Sequence, residues 1–184
     1  MSLPEVVIVA GARTPMAEWL GGKRGDGQPG GALASVSALD LGAVAARAAI
    51  ERAGVPAERF DHCVMGNALQ TSGDALYGAR HVALKAGLPV ECPALTVNRL
   101  CGSGLQSVAT AAQMLQLGEA SWVLAGGMEN MSQAPHVLRG ARAGFRFGAM
   151  PPLEDSLFVA LKDSRCDLYM AQTSDNLART SSAR

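Results

Sequence analysis

The sequence predicts an α/β fold, a mostly parallel mixed sheet with helices on both faces. Strand-like and helix-like segments alternate along the chain. The strand-like runs are continuous in Val, Ile, Leu and Ala, the pattern of strands covered on both sides. Gly or Pro closes most of the segments between them.

In order, Glu5 to Ala10 reads as a buried strand, with Val6, Val7, Ile8 and Val9 in a row, ended by Gly11 and Thr14-Pro15. A long Gly-rich loop follows. Ser37-Ala38-Leu39-Asp40 has capping-box spacing with Asp in place of Glu. Leu41, Val44, Ala45 and Ala48 then recur at helical spacing until Gly54 and Pro56, with Arg47, Glu51 and Arg52 on the exposed side. Next come a strand from Asp61 to Gly66, a helix from about Asp74 to Ala86 stopped by Gly87 and Pro89, and a strand from Leu95 to Leu100. The helix after Cys101 closes at Gly118, and the apolar strand Ser121 to Ala125 runs into Gly126-Gly127-Met128-Glu129-Asn130-Met131. Residues 1–132 are thus expected to form one layered core. Residues 133–184 begin irregularly, with Gly, Arg and Pro-Pro, and read as an excursion from it.

Composition narrows the function. An apolar fraction of 48% in 184 residues is that of a globular protein. The 16 basic and 16 acidic residues balance and form no long run, which excludes an electrostatic track for nucleic acid or anionic lipid. No apolar stretch reaches membrane-spanning length, and Met1-Ser2-Leu3-Pro4-Glu5 lacks the basic start of a signal peptide. A cytoplasmic protein is expected. Cys63, Cys92, Cys101 and Cys166 are widely spaced and are expected to be free thiols, and the scattered His62, His81 and His136 make no metal pattern with them. Gly25-Asp26-Gly27-Gln28-Pro29-Gly30 fits a dinucleotide fingerprint by letter but lies far past the strand and holds a proline where a helix would open, so it reads as a loop.

The most informative segment is Asn98-Arg99-Leu100-Cys101-Gly102-Ser103-Gly104. The sixteen residues from Gly102 to Leu117 carry no charge, so the helix is expected to be covered by protein on nearly every side. The first turn of a helix favours negative charge, and a thiol reacts as thiolate. Backbone N–H groups there can also stabilise the oxyanion formed when a thiolate attacks a thioester. Gly102 and Gly104 leave room for an acyl group. The residues alone leave open whether Cys101 is a nucleophile or a core cysteine.

Taken together, Val9-Ala10-Gly11-Ala12-Arg13-Thr14-Pro15, Met65-Gly66-Asn67, the Cys101 segment, and Ala125-Gly126-Gly127-Met128-Glu129-Asn130-Met131-Ser132 resemble signature segments of the thiolases, in the right order. The resemblance covers about Pro4 to Ala178 and implies the N-terminal half of a thiolase-like layered fold. It implies that Cys101 accepts an acyl group from acyl-CoA, with its backbone N–H in an oxyanion hole, for condensation to or thiolysis of a 3-ketoacyl-CoA. Coenzyme A is then substrate or product, with no resident cofactor. Tyr169 and Met170, in Leu168-Tyr169-Met170-Ala171-Gln172-Thr173, align with a segment lining the acyl and pantetheine pocket, and Leu161 is a looser candidate.

The family's second half supplies a Gly-His-Pro histidine, an Asn-Glu-Ala-Phe asparagine and a base-acting cysteine, and none of these motifs occurs in this sequence. The chain is therefore expected to acylate without turning over alone, to expose an apolar face, and to belong to a homodimer or homotetramer when intact. Gly73-Asp74-Ala75-Leu76-Tyr77-Gly78-Ala79-Arg80-His81 and Tyr169 depart from the sequences common in acetoacetyl-CoA enzymes, which leaves acyl length open. The Gly-Gly-Met-Glu-Asn-Met segment favours a thiolase over a ketoacyl synthase. A noncatalytic half-protein that binds acyl-CoA or a partner subunit is the alternative.

Overall fold

The computed structural model describes residues 4–17 and 31–182; the Gly25–Gly30 segment lies outside the described residues. The chain forms two compact units, Met1–Gln133 and Ala134–Arg184. The first holds a parallel sheet of three strands, β1 (His62–Gly66), β2 (Ala94–Val97) and β3 (Val123–Gly127), in the order β2-β1-β3.

Three helices cover the sheet: α1 (Ala38–Ala53), α2 (Gly78–Ala86) and α3 (Ser103–Gln116). Side-chain alternation along β1 divides them between the two faces. Cys63 and Met65 join the core formed with Leu39 and Ala46 of α1 and Ala79 and Val82 of α2. Val64 and Gly66 face the other way, where Gly66 lies against the start of α3. Cys63, Val64 and Met65 are almost wholly buried, as a central strand of an α/β layer requires.

Local chemistry sets the helix ends. Ser37 caps α1 by accepting from the Asp40 N–H at 3.1 Å, and its hydroxyl donates to the Asp40 carboxylate at 2.7 Å. Gly54, with φ 65°, and Gly87, with φ 94°, end α1 and α2 in the left-handed conformation. Gly42 brings α1 and α2 together, since a Cβ there would stand 3.1 Å from Val82. A Lys85–Asp40 ion pair and an Arg47 Nη1 hydrogen bond to the Lys85 carbonyl, 2.7 Å long, hold the outside of that contact.

Three sequence expectations need correction here. The buried face of α1 runs through Leu39, Gly42, Ala43 and Ala46, while Val44 is exposed and Leu41, Ala45 and Ala48 are only partly covered. Alanines occur on most sides of this helix, so apolar spacing did not define one face. The segment Glu5 to Ala10 is not a strand, and Val7, Ile8 and Val9 are exposed. Strand propensity is realised only when a neighbour accepts the backbone hydrogen bonds, and the sheet ends at β3. Finally, α3 buries only Ser103, Ser107 and Ala111, a stripe four residues apart facing the sheet, and Leu105 on the opposite side is 78% exposed. Its lack of charge marks a surface that these residues leave uncovered.

The free side of β3, the Glu5–Ala12 segment, α1 and α3 border an apolar cleft of about 650 Å³. No helix among the described residues is long and apolar enough to cross a membrane. The described part of the second unit contains two short antiparallel ladders, two α-helices and a single 3-10 turn, Ala141–Ala143. β4 (His136–Val137) pairs with β5 (Glu154–Asp155), which leads into α4 (Ser156–Ala160). β6 (Lys162–Asp163) pairs with β7 (Leu168–Tyr169), which leads into α5 (Met170–Ser182).

An uncovered helix side beside an apolar cleft predicts that the purified chain takes up an apolar fluorescent dye and self-associates. Sedimentation velocity with and without the dye checks this; a monodisperse species that leaves dye fluorescence unchanged contradicts it.

Candidate active site

Parallel pairing places the carboxyl ends of the three strands at one level, with Gly66 opposite both Val97 and Gly127. In open α/β sheets this edge is where ligands bind. The residues that leave it are Asn67 after β1, Asn98 to Cys101 after β2, and Met128 to Asn130 after β3. Of these, Leu100, Cys101, Met128, Glu129 and Asn130 line a second cavity of about 650 Å³, with Arg13, Thr14 and Gly104 among the other lining residues.

Cys101 stands at the entrance to α3 and is exposed, as the nucleophile reading requires and a core cysteine would not be. Gly102 occupies the N-cap with no side chain supplying a cap bond. The Gly102 and Ser103 N–H groups donate to the carbonyls of Arg99 and Leu100, each at 3.0 Å. The Cys101 N–H has no acceptor among the described residues. By contrast, burial pushes the Cys63 thiol up to about 12, with a smaller contribution from Cys92, and burial also raises Cys92.

The helix start can lie over the strand ends because glycines leave space for it. A Cβ on Gly66 would stand 2.5 Å from the backbone carbon of Ser103, and one on Gly127 would stand 3.3 Å from the Cα of Gly104. Ser107 fixes the next turn, its buried Oγ lying 2.7 Å from the carbonyl oxygens of Gly104 and Gly126, which share its one proton.

Comparison with known proteins agrees with this geometry. Residues 6–184 match the family described as Thiolase, N-terminal domain. The chain belongs to the thiolase family. It is 47% identical to the mitochondrial 3-ketoacyl-CoA thiolase of Homo sapiens over 94% of this chain and 41% of that protein. Against the acetyl-CoA acetyltransferase of Cupriavidus necator it is 44% identical, over 96% and 42% of the two chains. The crystal structure of human mitochondrial 3-ketoacyl-CoA thiolase in complex with CoA superposes with a TM-score of 0.87 at 46% identity, over 95% of this chain and 42% of that one. The acetyl-CoA acetyltransferase of Bacillus anthracis also gives a TM-score of 0.87, at 31% identity, over 99% and 43%. The chain thus spans about two-fifths of the length of these thiolases.

In this thiolase domain the Met-Glu-Asn segment has a physical role that sequence reasoning did not assign. The Glu129 carboxylate accepts from the N–H groups of Ala68 and Leu69, at 2.9 and 3.1 Å, and from the Asn67 amide at 2.9 Å. Burial raises its pKa against the opposing effect of those three donors. The buried Asn130 amide donates to the Val36 carbonyl at 2.6 Å and to those of Leu33 and Ala34 at 3.3 and 3.2 Å, while its oxygen accepts from the Ser132 N–H at 3.0 Å. Adjacent side chains thereby hold two separate loops at the rim of the cavity. The available signal was position, because each polar residue stands within three residues of a strand whose carboxyl end must converge with the others.

The remaining candidates lie in the second unit, where the structure brings them together. The rings of Tyr169 and Phe158 are 4.7 Å apart and tilted by 40°. The Met170 N–H donates to the Leu161 carbonyl at 3.2 Å, and the Leu161 and Met170 side chains are partly exposed. His136 and Cys166 also lie in this unit.

Two outcomes follow from this geometry. Iodoacetamide at about pH 8 is expected to modify Cys101 and Cys166 in the folded chain and to reach Cys63 and Cys92 only after denaturation; peptide mass mapping reads which thiols carry the label. Gly66→Ala is expected to lower stability by about 3 kcal/mol, because backbone cannot give way as a flexible side chain would. Gly104→Ala, whose added Cβ meets nothing within 4 Å, is expected to cost nothing in the same urea titrations.

Proposed function

We propose that Cys101 is the nucleophile of thiolase acyl transfer and that this chain carries out the first half of that reaction. The supporting observation is the placement of an exposed thiol at the mouth of a 650 Å³ cavity, at the N-terminus of α3. The Cys101 thiolate attacks the thioester carbonyl of an acyl-CoA, and the electron pair moves onto the carbonyl oxygen. The unengaged Cys101 N–H contributes a hydrogen bond to that oxyanion. Collapse expels the CoA thiolate and leaves the acyl group on the Cys101 sulfur. From the family resemblance, Leu161, Tyr169 and Met170 are proposed to contact the acyl or pantetheine part of the substrate. Coenzyme A enters and leaves as a reactant.

The second half-reaction, condensation or thiolysis of a 3-ketoacyl-CoA, needs a general base. Among the described residues no histidine lines the cavity, and the one carboxylate that does, Glu129, is engaged by three donors. The chain is therefore expected to form a stable acyl-enzyme without turning over. The names of its relatives fit either direction, 3-ketoacyl-CoA thiolysis or acetyl transfer between CoA thioesters. The protein is proposed to act as a homodimer or homotetramer in the cytoplasm, reducing enough to keep its four cysteines free.

Incubation with acetyl-CoA followed by intact-mass measurement is expected to show one acetyl adduct, absent from Cys101→Ala. Absence of an adduct from the parent chain would leave it as an acyl-CoA-binding or partner-binding half. Gly104→Ala is expected to slow adduct formation at unchanged stability, since Gly104 lines the cavity that receives the acyl group in this reading.

A further inference from the structure

Leu100 precedes the nucleophile with φ 51°, and Asp167 is the other non-glycine residue with positive φ among the described residues. A left-handed leucine is disfavoured by about tenfold relative to the right-handed conformation. Packing does not compensate, because Leu100 is 65% exposed. Hydrogen bonds on both sides of the residue hold it instead.

The Leu100 carbonyl accepts from the N–H and hydroxyl of Ser103, at 3.0 and 2.6 Å, and the same hydroxyl accepts from the Arg99 N–H at 2.8 Å. The Leu100 N–H donates to Oδ1 of Asn98 at 2.9 Å, an Asx-type turn. The other end of the Asn98 amide is also engaged: Nδ2 donates to the Ala68 carbonyl at 3.0 Å. Ala68 belongs to the short loop whose N–H groups are fixed by Glu129. The Asn98 amide thus joins two strand ends, spanning from the Ala68 loop to the residue before the sulfur, and the Glu129 carboxylate ties that loop to the third.

We infer that Asn98, backed by Glu129, is a positioning residue for Cys101, holding Leu100 left-handed so that the sulfur enters the cavity with the Cys101 N–H free. The inference rests on the nucleophile reading above. It has a consequence that a general stabilising role lacks: the amide matters because residue 100 is not glycine. Glycine adopts this φ without the steric cost, so Leu100→Gly makes Asn98 dispensable.

The test compares the parent chain, Asn98→Ala, Leu100→Gly and the double variant in two reactions of Cys101. Acyl transfer from acetyl-CoA needs the placed N–H; alkylation by iodoacetamide needs only an accessible thiol. Asn98→Ala is expected to slow acylation about tenfold while alkylation changes by less than about twofold, and the double variant is expected to acylate at the Leu100→Gly rate. Unchanged acylation in Asn98→Ala, equal slowing of both reactions, or failure of Leu100→Gly to restore the rate overturns the inference. If Asn98→Ala does not fold, the two glycine variants decide: equal rates support the inference and a tenfold deficit in the double variant overturns it. If the parent chain forms no adduct, the nucleophile reading has failed, and the backbone claim is read from hydrogen exchange of the Leu100 amide. About tenfold faster exchange in Asn98→Ala supports the claim, and unchanged exchange overturns it.

Discussion

The site depends on one close approach, that of the first turn of α3 to the ends of β1 and β3. Gly66 has no room for a Cβ beside the Ser103 backbone, and Gly127 has little beside Gly104. Side chains at either strand end would lift the helix and move Cys101 with it. Interiors packed at crystal-like density transmit such displacements instead of absorbing them. Ser107 then joins the helix to β3 one turn further on, so contacts at the covered side fix both the height and the direction of the helix.

Polar groups complete what close packing begins. Parallel strands that end level leave backbone groups beyond the last ladder bond, and those groups need partners wherever water is partly excluded. Asn67, Asn98, Glu129 and Asn130 supply them. Each stands within a few residues of a strand end, and each reaches a segment distant in sequence or the turn that presents the thiol. A partly buried carboxylate is costly unless it is well engaged, and Glu129 offsets the cost through three donors from one loop. Rigidity around a reacting group aids catalysis because the donors need no reorganisation when charge develops.

Much of this was legible in the sequence, for identifiable reasons. The alternation of apolar runs with capped helices led to the parallel sheet, and Ser37, Gly54 and Gly87 act as their residue types predict. The position of Cys101 at a helix start was legible because Gly102-Ser103-Gly104 opens an uncharged helix directly after it. The clamp residues were not, since Asn and Glu in loops have many uses and only the converged strand ends show which one applies. Glu5 to Ala10 failed for a different reason. Its Val-Ile run encodes strand propensity, but a strand is a pairing, and the described residues offer that segment no partner.

The uncharged surface of α3 separates two requirements that the sequence had merged. The stripe of Ser103, Ser107 and Ala111 is packed on the sheet, whereas Leu105 and its neighbours are open. Among the described residues, the packed stripe, the glycines beneath it and the Asn98 turn hold the start of α3 and the residues before it. Whatever covers the open side can add stability through the roughly 25 cal/mol gained per Å² of apolar surface buried, but it does not set the direction of the sulfur. In the acyl transfer proposed above, acylation draws on contacts internal to the Met1–Gln133 unit, and the second half-reaction on a general base.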